Sequence, residues 1–476
     1  MSDDVVITVI GGGLAGCEAA WRAARLGAGV RLFEMRPRSM TGAHQTDRLA
    51  ELVCSNSLKS ESLEDASGLL KAEMRELDSL ILRCAETHRV PAGSALAVDR
   101  GAFASAITQA ITDEGRIQVV RQEVPEIPAD RPVVVATGPL TSERLSVDLA
   151  ARFAAVREPG AESREPRTES REPRAENLEP PASNPEPCPS TLLYFYDAIS
   201  PIVSADSVNR DVAFAAGRYE KGGADYLNCA LTREEYVAFR EALLLGERYP
   251  LHAFEAPKYF EGCLPIEELA ERGEDTLRFG PMRPVGLKDP RTGQRPYAVV
   301  QLRAENIGPD GSPSMYNLVG FQTRLRRGDQ ARALRLIPGL QQVEILRYGS
   351  VHRNTFIAAP ALLRETLQFR WDAGVIFAGQ LTGVEGYLES AATGILAGIN
   401  AVRLSRGEAP VCPPPTSMLG ALLRYITQAD PRTFQPINAN FGLLPPLPQI
   451  VRKREERNRF LVERTLADFR AWVANL

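Results

Sequence analysis

The chain is poor in the residues that build disulfide frameworks and metal sites. It has seven cysteines among 476 residues, with no pair spaced as in a CxxC motif, and four histidines without ligand spacing. An odd cysteine count without paired spacing argues against disulfide frameworks and zinc sites. We therefore expect no disulfide and no bound metal. The cysteines are Cys17, Cys54, Cys84, Cys188, Cys229, Cys263 and Cys412.

Long apolar runs are also missing from the chain. No stretch approaches the roughly 18 apolar residues that a membrane-spanning helix needs. The N-terminus lacks the pattern of a secretory signal. The sequence therefore predicts a protein of the reducing cytoplasm, with no membrane partner.

Charge of one sign is not in large excess. The net charge is -4 and the sequence pI is about 5.9. This balance argues against polyanion binding by the whole surface, although a local basic patch is enough to bind nucleic acid. Hydrophobic residues make up 44% of the chain and charged residues 24%, which is typical of globular proteins. The length predicts two or three domains.

The start of the chain carries a strand–turn–helix–strand pattern. The apolar run VVITVI from Val5 predicts a buried strand, the Ala-rich stretch ending at Gly27 predicts a helix, and GVRLFEM over 29–35 predicts a second strand. Alternation of this kind opens a doubly wound parallel sheet.

A G-x-G-x-x-G motif lies at the turn between that strand and helix. Its first glycine permits a tight turn, its second lets the backbone approach a pyrophosphate, and its third allows close helix–strand packing. Glu34 ends the second strand, where its carboxylate can accept hydrogen bonds from ribose hydroxyls. A tight turn without a ligand is the alternative interpretation. The candidate cofactor-binding residues here are Gly11, Gly12, Gly13, Leu14, Ala15, Gly16 and Glu34.

Two later segments favour FAD over NAD as the cofactor. RPVVVATGP over 131–139 resembles a strand of large flavoproteins that ends in ATG, and 377–394 resembles their second flavin segment. In that segment a strand-end loop and a helix start lie beside the flavin ring and ribityl chain. The alternative is a Gly-rich helix packed tightly on the sheet. The candidate flavin-binding residues are Gly379, Gln380, Gly383, Glu385 and Gly386.

These patterns predict an α/β fold with a discontinuous first domain. We expect a doubly wound, Rossmann-type FAD-binding domain like that of glutathione reductase, with a smaller α/β domain inserted. The expected parts are an FAD-binding domain over 1–155 and 336–405, an inserted substrate domain over 191–335, and a C-terminal helical segment over 406–476.

Residues 157–190 differ in composition from the rest of the chain. They include three tandem heptads that begin at Arg157, Arg164 and Arg171, each with a proline, and almost no large apolar residue. Such a stretch cannot bury a core. The sequence predicts a disordered, low-complexity insert, with an interaction tail as the alternative.

Eight strings spread over the chain together resemble one family, the folate- and FAD-dependent tRNA (uracil-5-)-methyltransferases (TrmFO). No single string is specific, but the combination is. The chain departs from the family pattern in the 157–190 insert and at Ala230, where the family leads us to expect proline. The strings are GGGLAGCEAAW, FEMRP, TGAHQTDRLAELVCSNSLKS, LYFYDAISPIV, YLNCALTREEY, FGPMRPVGL, RYGSVHRNTFI and FAGQLTGVEGY.

The resemblance implies a particular reaction. The methylene of 5,10-methylenetetrahydrofolate is transferred to C5 of the T-loop uridine at position 54 of tRNA. Reduced FAD completes it to a methyl group, and NADPH or NADH reduces the flavin. Because C5 of uracil is a poor nucleophile, a thiolate must first add at C6.

The resemblance also implies two functional cysteines, Cys229 in YLNCALT and Cys54 in LVCSNS. We predict Cys229 as the nucleophile that attacks uracil C6. We predict that Cys54 lies near the flavin as a proton-transfer partner, with the role of nucleophile as its alternative. From the residues alone, a small buried apolar side chain is the favoured interpretation of each cysteine, as for most free cysteines; the family resemblance reverses that preference.

A tRNA-binding protein of negative net charge needs a focused basic face. The candidates are 323–336, 347–353 and 451–459. Three other functions stay open: a related flavoprotein that modifies the wobble uridine of tRNA, an FAD oxidoreductase acting on a small molecule, and a flavin-stabilised tRNA-binding protein without catalysis.

Overall fold

The computed structural model describes residues 6–155, 192–220, 225–250, 264–308 and 310–476. Cys188, Cys263 and the low-complexity insert lie outside these residues. The disorder expected for the insert therefore stays a prediction.

The N-terminal part alternates strands and helices, and its first three elements confirm the strand–helix–strand prediction. Two of its helices are capped by side chains: Ser79 accepts a hydrogen bond from the N–H of Leu82, and Asp99 accepts one from the N–H of Ala102. The elements are β1 (Val6–Ile10), α1 (Leu14–Arg25), β2 (Gly29–Phe33), β3 (Ser57–Ser60), α2 (Ala66–Glu76), α3 (Leu80–Thr87), β4 (Arg89–Val90), β5 (Ala95–Val98), α4 (Arg100–Asp113), β6 (Ile117–Val120), β7 (Val133–Val135) and α5 (Glu143–Ala155).

The middle part is richer in strands. Its longest helix begins with a capping box in which the side chains of Thr232 and Glu235 each accept the other's backbone N–H. The elements are β8 (Leu192–Ile199), β9 (Ile202–Ser204), β10 (Phe214–Ala215), β11 (Tyr226–Leu231), α6 (Arg233–Leu245), α7 (Ile266–Glu271), α8 (Thr276–Phe279), β12 (Ala298–Ala304), β13 (Met315–Leu318), α9 (Arg327–Leu334) and β14 (Ile345–Arg347).

The C-terminal part returns to a strand–loop–helix arrangement and ends in a long helix. The expected strand and helix over 374–402 are confirmed. None of the described helices is long and apolar enough to cross a membrane. The elements are β15 (Ser350–Ile357), α10 (Ala359–Leu362), β16 (Gln368–Phe369), β17 (Asp372–Phe377), α11 (Tyr387–Ser405), α12 (Met418–Gln428) and α13 (Arg454–Val473).

The first six-stranded sheet has the order β16–β17–β7–β1–β2–β6, and all its pairs are parallel except β16–β17. Ile7, Val9 and 133–135 are fully buried in it, as expected for parallel strands covered on both faces. Because β16 and β17 come from residues 368–377, segments from early and late in the chain close one sheet.

The second six-stranded sheet is antiparallel and has the order β10–β11–β12–β13–β9–β14. Helices α6 and α9 pack on it through Phe239, Leu243 and Leu334, which belong to a separate apolar core. This sheet continues to Arg347, beyond the predicted boundary at residue 335.

A two-stranded antiparallel ribbon connects the two sheets. β8 enters the second sheet through β9, and β15 leaves it after β14, with Ser350 opposite Ile199 and Ile357 opposite Leu192. The chain therefore crosses twice between the sheets along one paired ribbon.

Helices α1 and α11 approach each other through small residues. A Cβ on Gly394 would overlap the carbonyl oxygen of Ala15, and a Cβ on Gly398 would lie 2.5 Å from the carbonyl oxygen of Ala19. Because Gly394 and Gly398 have no side chains, α11 of the second predicted flavin segment packs directly against the backbone of α1.

The architecture confirms the expected fold class. A doubly wound Rossmann-type sheet carries a second, smaller α/β unit that is inserted between its strands. The domain boundaries stay predictions.

Gly394→Ala should destabilise the protein, although alanine is the better helix former by about 1 kcal/mol. The new Cβ overlaps backbone of α1, which cannot rotate away as a side chain can. Overpacking of a core costs about 1–3 kcal/mol, so after the gain in helix propensity we expect a net loss of up to about 2 kcal/mol in the free energy of unfolding. Urea denaturation measures this loss.

Gly328→Ala is the matched control, because Gly328 lies in α9 and a Cβ added there would meet no atom within 4 Å. Its free energy of unfolding should be unchanged or slightly higher. Equal values for the two variants would show that helix contact at Gly394 does not govern stability.

Candidate functional site

The turn between β1 and α1 is built from glycines that serve different purposes. Gly11 has φ +105°, a conformation that favours glycine. A Cβ on Gly16 would overlap the carbonyl oxygen of Gly11, whereas a Cβ on Gly13 would meet no atom within 4 Å. Gly13 begins α1 without any side-chain cap. The first N–H groups of the helix therefore face open space, where they can bind an anion.

Glu34 and Arg36 form a buried ion pair beside this turn. One Glu34 oxygen accepts hydrogen bonds from Nε of Arg36 at 3.0 Å, and the other accepts the N–H of Gly12 at 3.1 Å. Burial raises the pKa of the Glu34 carboxyl, but the hydrogen bonds and charge of Arg36 outweigh burial and lower it. The carboxylate is thus held ionised at the rim of the turn.

One cleft collects most of the predicted cofactor residues. It lies between the turn after β1, the end of β2 and the segment after β17. Gly16 is not exposed to it, because α1 packs against the turn there. Two segments far apart in the sequence therefore line one groove. The predicted residues in its wall are Gly11, Gly12, Gly13, Leu14, Ala15, Glu34, Gly379 and Gln380.

A second cavity adjoins the cleft and shares Gln380 and Tyr387 with it. Its wall contains the predicted residues Glu385 and Gly386. Gly383 lines neither space, because the ring of Phe434 covers its Cα. The residues of the predicted flavin segment therefore lie partly in the wall of the cleft and partly in the wall of the second cavity.

Cys54 lies half-buried in the wall of the second cavity. The hydroxyl oxygen of Tyr387 accepts hydrogen bonds from the N–H groups of Cys54 at 2.8 Å and Ser55 at 3.3 Å. Arg100 donates to the carbonyl oxygens of Leu52 at 2.7 Å and Cys54 at 3.0 Å. The loop that carries this thiol is therefore held on both sides.

Residues of the second sheet also form hydrogen bonds with this loop. Arg303 of β12 donates from Nε to Asn56 at 2.8 Å and from Nη2 to the hydroxyl of Ser55 at 2.8 Å. Asn56 in turn donates to the carbonyl oxygen of Ala304 at 2.9 Å. Glu305, the next residue along the chain, pairs with Arg100. The position of Cys54 therefore depends on contacts from both units of the protein.

A cation stands at the edge of the second cavity. Lys59 lines it and donates from Nζ to Oε1 of Glu389 at 2.8 Å. The same Glu389 oxygen accepts the N–H of Ala439 at 2.9 Å, while its Oε2 has no hydrogen-bond partner among the described residues. The first turn of α11 is thereby tied to the strand that follows the Cys54 loop.

Cys229 occupies a different environment from Cys54. It lies on β11 opposite Val300 of β12, and its side chain belongs to the apolar core of the second unit. Burial raises the pKa of the Cys229 thiol to about 12, against the lowering effect of the charge of Arg291. Cys229 lines neither the cleft nor the second cavity, so the structure does not bring the two predicted thiols together.

Several residues of the site were not predicted from the sequence: Arg36, Lys59, Arg100, Arg303 and Tyr387. For Arg36 a local signal exists, because a basic residue two positions after Glu34 on an extended segment can fold back on the carboxylate. Lys59 and Tyr387 lie close in sequence to the predicted Cys54 and Gly386, but no pattern gave them a role. Arg100 and Arg303 reach the site from distant parts of the chain, and no local pattern marks them.

The three predicted basic faces have different surroundings in the structure, and acidic partners neutralise only part of the first. In 323–336, Arg324 pairs with Glu268 at 2.6 Å and Arg326 with Glu247 at 3.2 Å. In 347–353, the largely buried Arg347 donates to the carbonyl oxygen of Ala43 at 3.3 Å. Residues 452–457 are exposed. Among the described residues, no group of three or more His, Cys, Asp or Glu side chains is arranged to hold a metal ion.

Known proteins resemble this chain along nearly its whole length. A family model described as glucose inhibited division protein A matches residues 6–409. The methylenetetrahydrofolate--tRNA-(uracil-5-)-methyltransferase TrmFO of Moorella thermoacetica is 53% identical over 467 residues, which are 98% of this chain and 97% of the relative. The protein of the same name from Geobacter sulfurreducens is 51% identical over 471 residues, 99% of each chain.

Two solved structures of Aquifex aeolicus GidA share the fold. Their TM-scores are 0.63 and 0.64 at 16% and 17% identity, with all of this chain and 74% and 76% of the GidA chains covered. Identity this low supports the fold alone. The curated relatives, however, are about half identical over almost their full length, and the chain therefore belongs to the TrmFO family of methylenetetrahydrofolate--tRNA-(uracil-5-)-methyltransferases.

Proposed function

We propose that this protein transfers the methylene of 5,10-methylenetetrahydrofolate to C5 of the T-loop uridine at position 54 of tRNA and reduces it to a methyl group, forming 5-methyluridine. The observation that carries the proposal is that Cys54 lines a cavity that adjoins a glycine-floored cleft and shares wall residues with it. The names of the curated relatives state the carbon donor, the tRNA substrate and the C5 position of uracil.

The residues of the cleft fit FAD. The open space before Gly13 and the uncapped start of α1 suit a pyrophosphate, and the ionised Glu34 suits ribose hydroxyls. Gly379 and Gln380 would lie beside the ring system. When bound and reduced by NADPH or NADH, FAD supplies the hydride that turns a methylene into a methyl group.

The pyrimidine chemistry needs a nucleophile and a base. A thiolate adds to C6, and the resulting enolate attacks the folate methylene through C5. Loss of the C5 proton and cleavage of the bond to the folate nitrogen leave an exocyclic methylene and tetrahydrofolate. Hydride addition to that carbon expels the thiolate and completes the methyl group. The target uridine must leave its stack to reach these groups.

We assign the nucleophile to Cys229 and the proton transfer at C5 to Cys54. Cys54 lines the cavity beside the cleft, on a loop that Arg100, Arg303 and Tyr387 hold in place. Support for Cys229 comes from the YLNCALT string shared with the family and from Arg291, whose positive charge favours its thiolate. Because Cys229 is buried, this assignment requires β11 to become accessible when tRNA binds.

The opposite assignment, with Cys54 as nucleophile, has one observation in its favour: Cys54 is the thiol that already lines a cavity. Modification of the wobble uridine and small-molecule oxidation are the competing functions. Both retain the flavin cleft, so the nucleotide that gains mass and the need for tRNA distinguish them from our proposal.

Incubation with unmodified tRNA, NADPH and labelled methylenetetrahydrofolate should place one methyl group on the T-loop uridine. Mass spectrometry of nuclease fragments locates the label. Label in the anticodon loop would favour the wobble function. Rapid NADPH oxidation with a simple acceptor, without any label in tRNA, would favour the small-molecule oxidoreductase.

Transfer RNA that carries 5-fluorouracil should form a covalent adduct, because fluorine at C5 prevents the proton loss that completes turnover. We expect Cys229→Ala to abolish the adduct and Cys54→Ala to retain it while losing methylation of ordinary tRNA. Denaturing gels measure the adduct. Cys412→Ala is the control, since Cys412 donates to the carbonyl oxygen of Glu365 away from both cavities. If the adduct forms in Cys229→Ala but not in Cys54→Ala, Cys54 is the nucleophile and our assignment of the two roles is reversed.

Gly13→Ala separates ligand binding from folding at the glycine turn. The new methyl meets no protein atom within 4 Å, and alanine is a poorer N-cap than glycine, so stability without flavin should fall by no more than about 1 kcal/mol. The methyl occupies the approach to a pyrophosphate, and we expect flavin affinity to fall about tenfold or more, a loss of at least ~1.4 kcal/mol. Titration of the apoprotein with FAD, followed by flavin fluorescence, measures the affinity. Unchanged affinity would remove this turn from the cofactor site.

A further inference from the structure

A basic and aromatic surface lies on the second unit, outside 323–336, 347–353 and 451–459. It is formed by the segment 278–297 together with Tyr219. The segment contains five basic residues and one acidic residue, in a protein whose net charge is -4. We call it the basic–aromatic patch, and its exposed side chains are Tyr219, Phe279, Arg283, Lys288, Arg291 and Arg295.

Three of its cations lack acidic partners. Arg283, Lys288 and Arg295 are exposed and form no ion pair with any described residue. Within the same segment, Arg278 pairs with Asp275 at 2.6 Å and Arg291 with Asp289 at 2.7 Å. Unlike Arg324 and Arg326, which pair with glutamates, these three charges are available to an anionic partner.

The patch also exposes two aromatic rings. Phe279 is 82% exposed and Tyr219 is 56% exposed. Tyr219 has φ +60°, its N–H donates to the carbonyl oxygen of Gly286 at 2.8 Å, and its ring lies against Gly286. A large apolar ring held in solvent beside unpaired cations matches the combination that binds unstacked nucleic-acid bases.

The patch is attached firmly to β12. The buried Met282 accepts the N–H of Val299 at 3.1 Å through its carbonyl oxygen. Arg278 donates to the carbonyl oxygen of Tyr297 at 3.0 Å, with its guanidinium 3.7 Å from the centre of the Tyr297 ring. The exposed side chains therefore project from an ordered backbone, which lowers the entropic cost of binding.

We propose that the basic–aromatic patch is a docking surface for tRNA, with Arg283, Lys288 and Arg295 on phosphates and Phe279 stacked on an exposed base. The inference rests on the proposed function. It also places the RNA beside Arg291, the cation whose charge reaches Cys229. An acidic protein partner would use the cations but has no planar bases for Phe279, so RNA is the better match.

The test uses full-length holoenzyme and unmodified tRNA, with binding measured by filter retention across a series of salt concentrations. In the triple variant Arg283→Ala, Lys288→Ala, Arg295→Ala, affinity at low salt should fall at least tenfold. The slope of log K against log salt should become less steep by about 2–3, since each lost phosphate contact removes roughly 0.7–0.9.

Phe279→Ala tests the stacking contact. Affinity for tRNA should fall about fivefold or more, with an unchanged salt slope, because stacking does not release counterions. Binding to heparin, which has charge but no bases, should be unaffected by this variant. Equal losses for tRNA and heparin would indicate a charge surface without base recognition and would overturn the stacking role.

A matched control removes the same charge elsewhere. Arg116→Ala, Arg406→Ala and Arg424→Ala together remove three exposed cations that lie outside the patch and outside every candidate basic face, and they should leave affinity and slope unchanged. Flavin absorbance confirms that every variant is folded. Wild-type affinity in the patch variant, or an equal loss in the control, overturns the docking surface. A wild-type enzyme that does not methylate tRNA instead overturns the proposed function.

Discussion

The geometry of the site depends first on glycines that allow α1 to pack closely against its neighbours. Gly16 lets α1 touch the turn at Gly11, and Gly394 lets α11 touch α1. Both contacts are backbone against backbone, so a methyl group cannot be accommodated by a change of rotamer. These two contacts set the width of the cleft. One wall is the glycine turn that leads into α1, and the other is the segment of Gly379 and Gln380 that leads into α11. Glu34 reaches the cleft rim for the same reason, past the missing side chain of Gly12.

A second constraint acts on the loop before β3. Arg100 comes from the first unit and Arg303 from the second, and Glu305 pairs with Arg100 across the boundary. Each arginine is largely withdrawn from solvent, where an unpaired charge is costly. The loop oxygens of Cys54 and Ser55 supply part of the compensation. The placement of Cys54 therefore follows from satisfying buried arginines, and the thiol is held without a hydrogen bond to either of them.

The sequence revealed those features of the fold and site that are encoded locally. Glycine spacing and the strand-ending Glu34 lie within one βαβ unit, so their geometry follows from neighbours in the chain. Arg303 reaches the site only through strand pairing over long sequence separations, which no local pattern encodes. Cys229 could be predicted in part. Leu227, Cys229 and Leu231 are alternate residues of β11 and all face the apolar core. The alternation of apolar residues in the sequence therefore predicts that Cys229 is buried. Only the family resemblance of YLNCALT indicates a chemical role for Cys229.

The two thiols nevertheless share a mechanical connection. Val300 lies opposite Cys229, and Arg303 on the same strand binds the Cys54 loop. Three residues of extended chain span about 10 Å, so one short length of β12 lies between both contacts. The patch segment joins the same strand through Met282 and Val299. Strand β12 thus contacts the patch segment, the strand that carries Cys229 and the loop that carries Cys54, so a shift of β12 would alter the surroundings of both thiols.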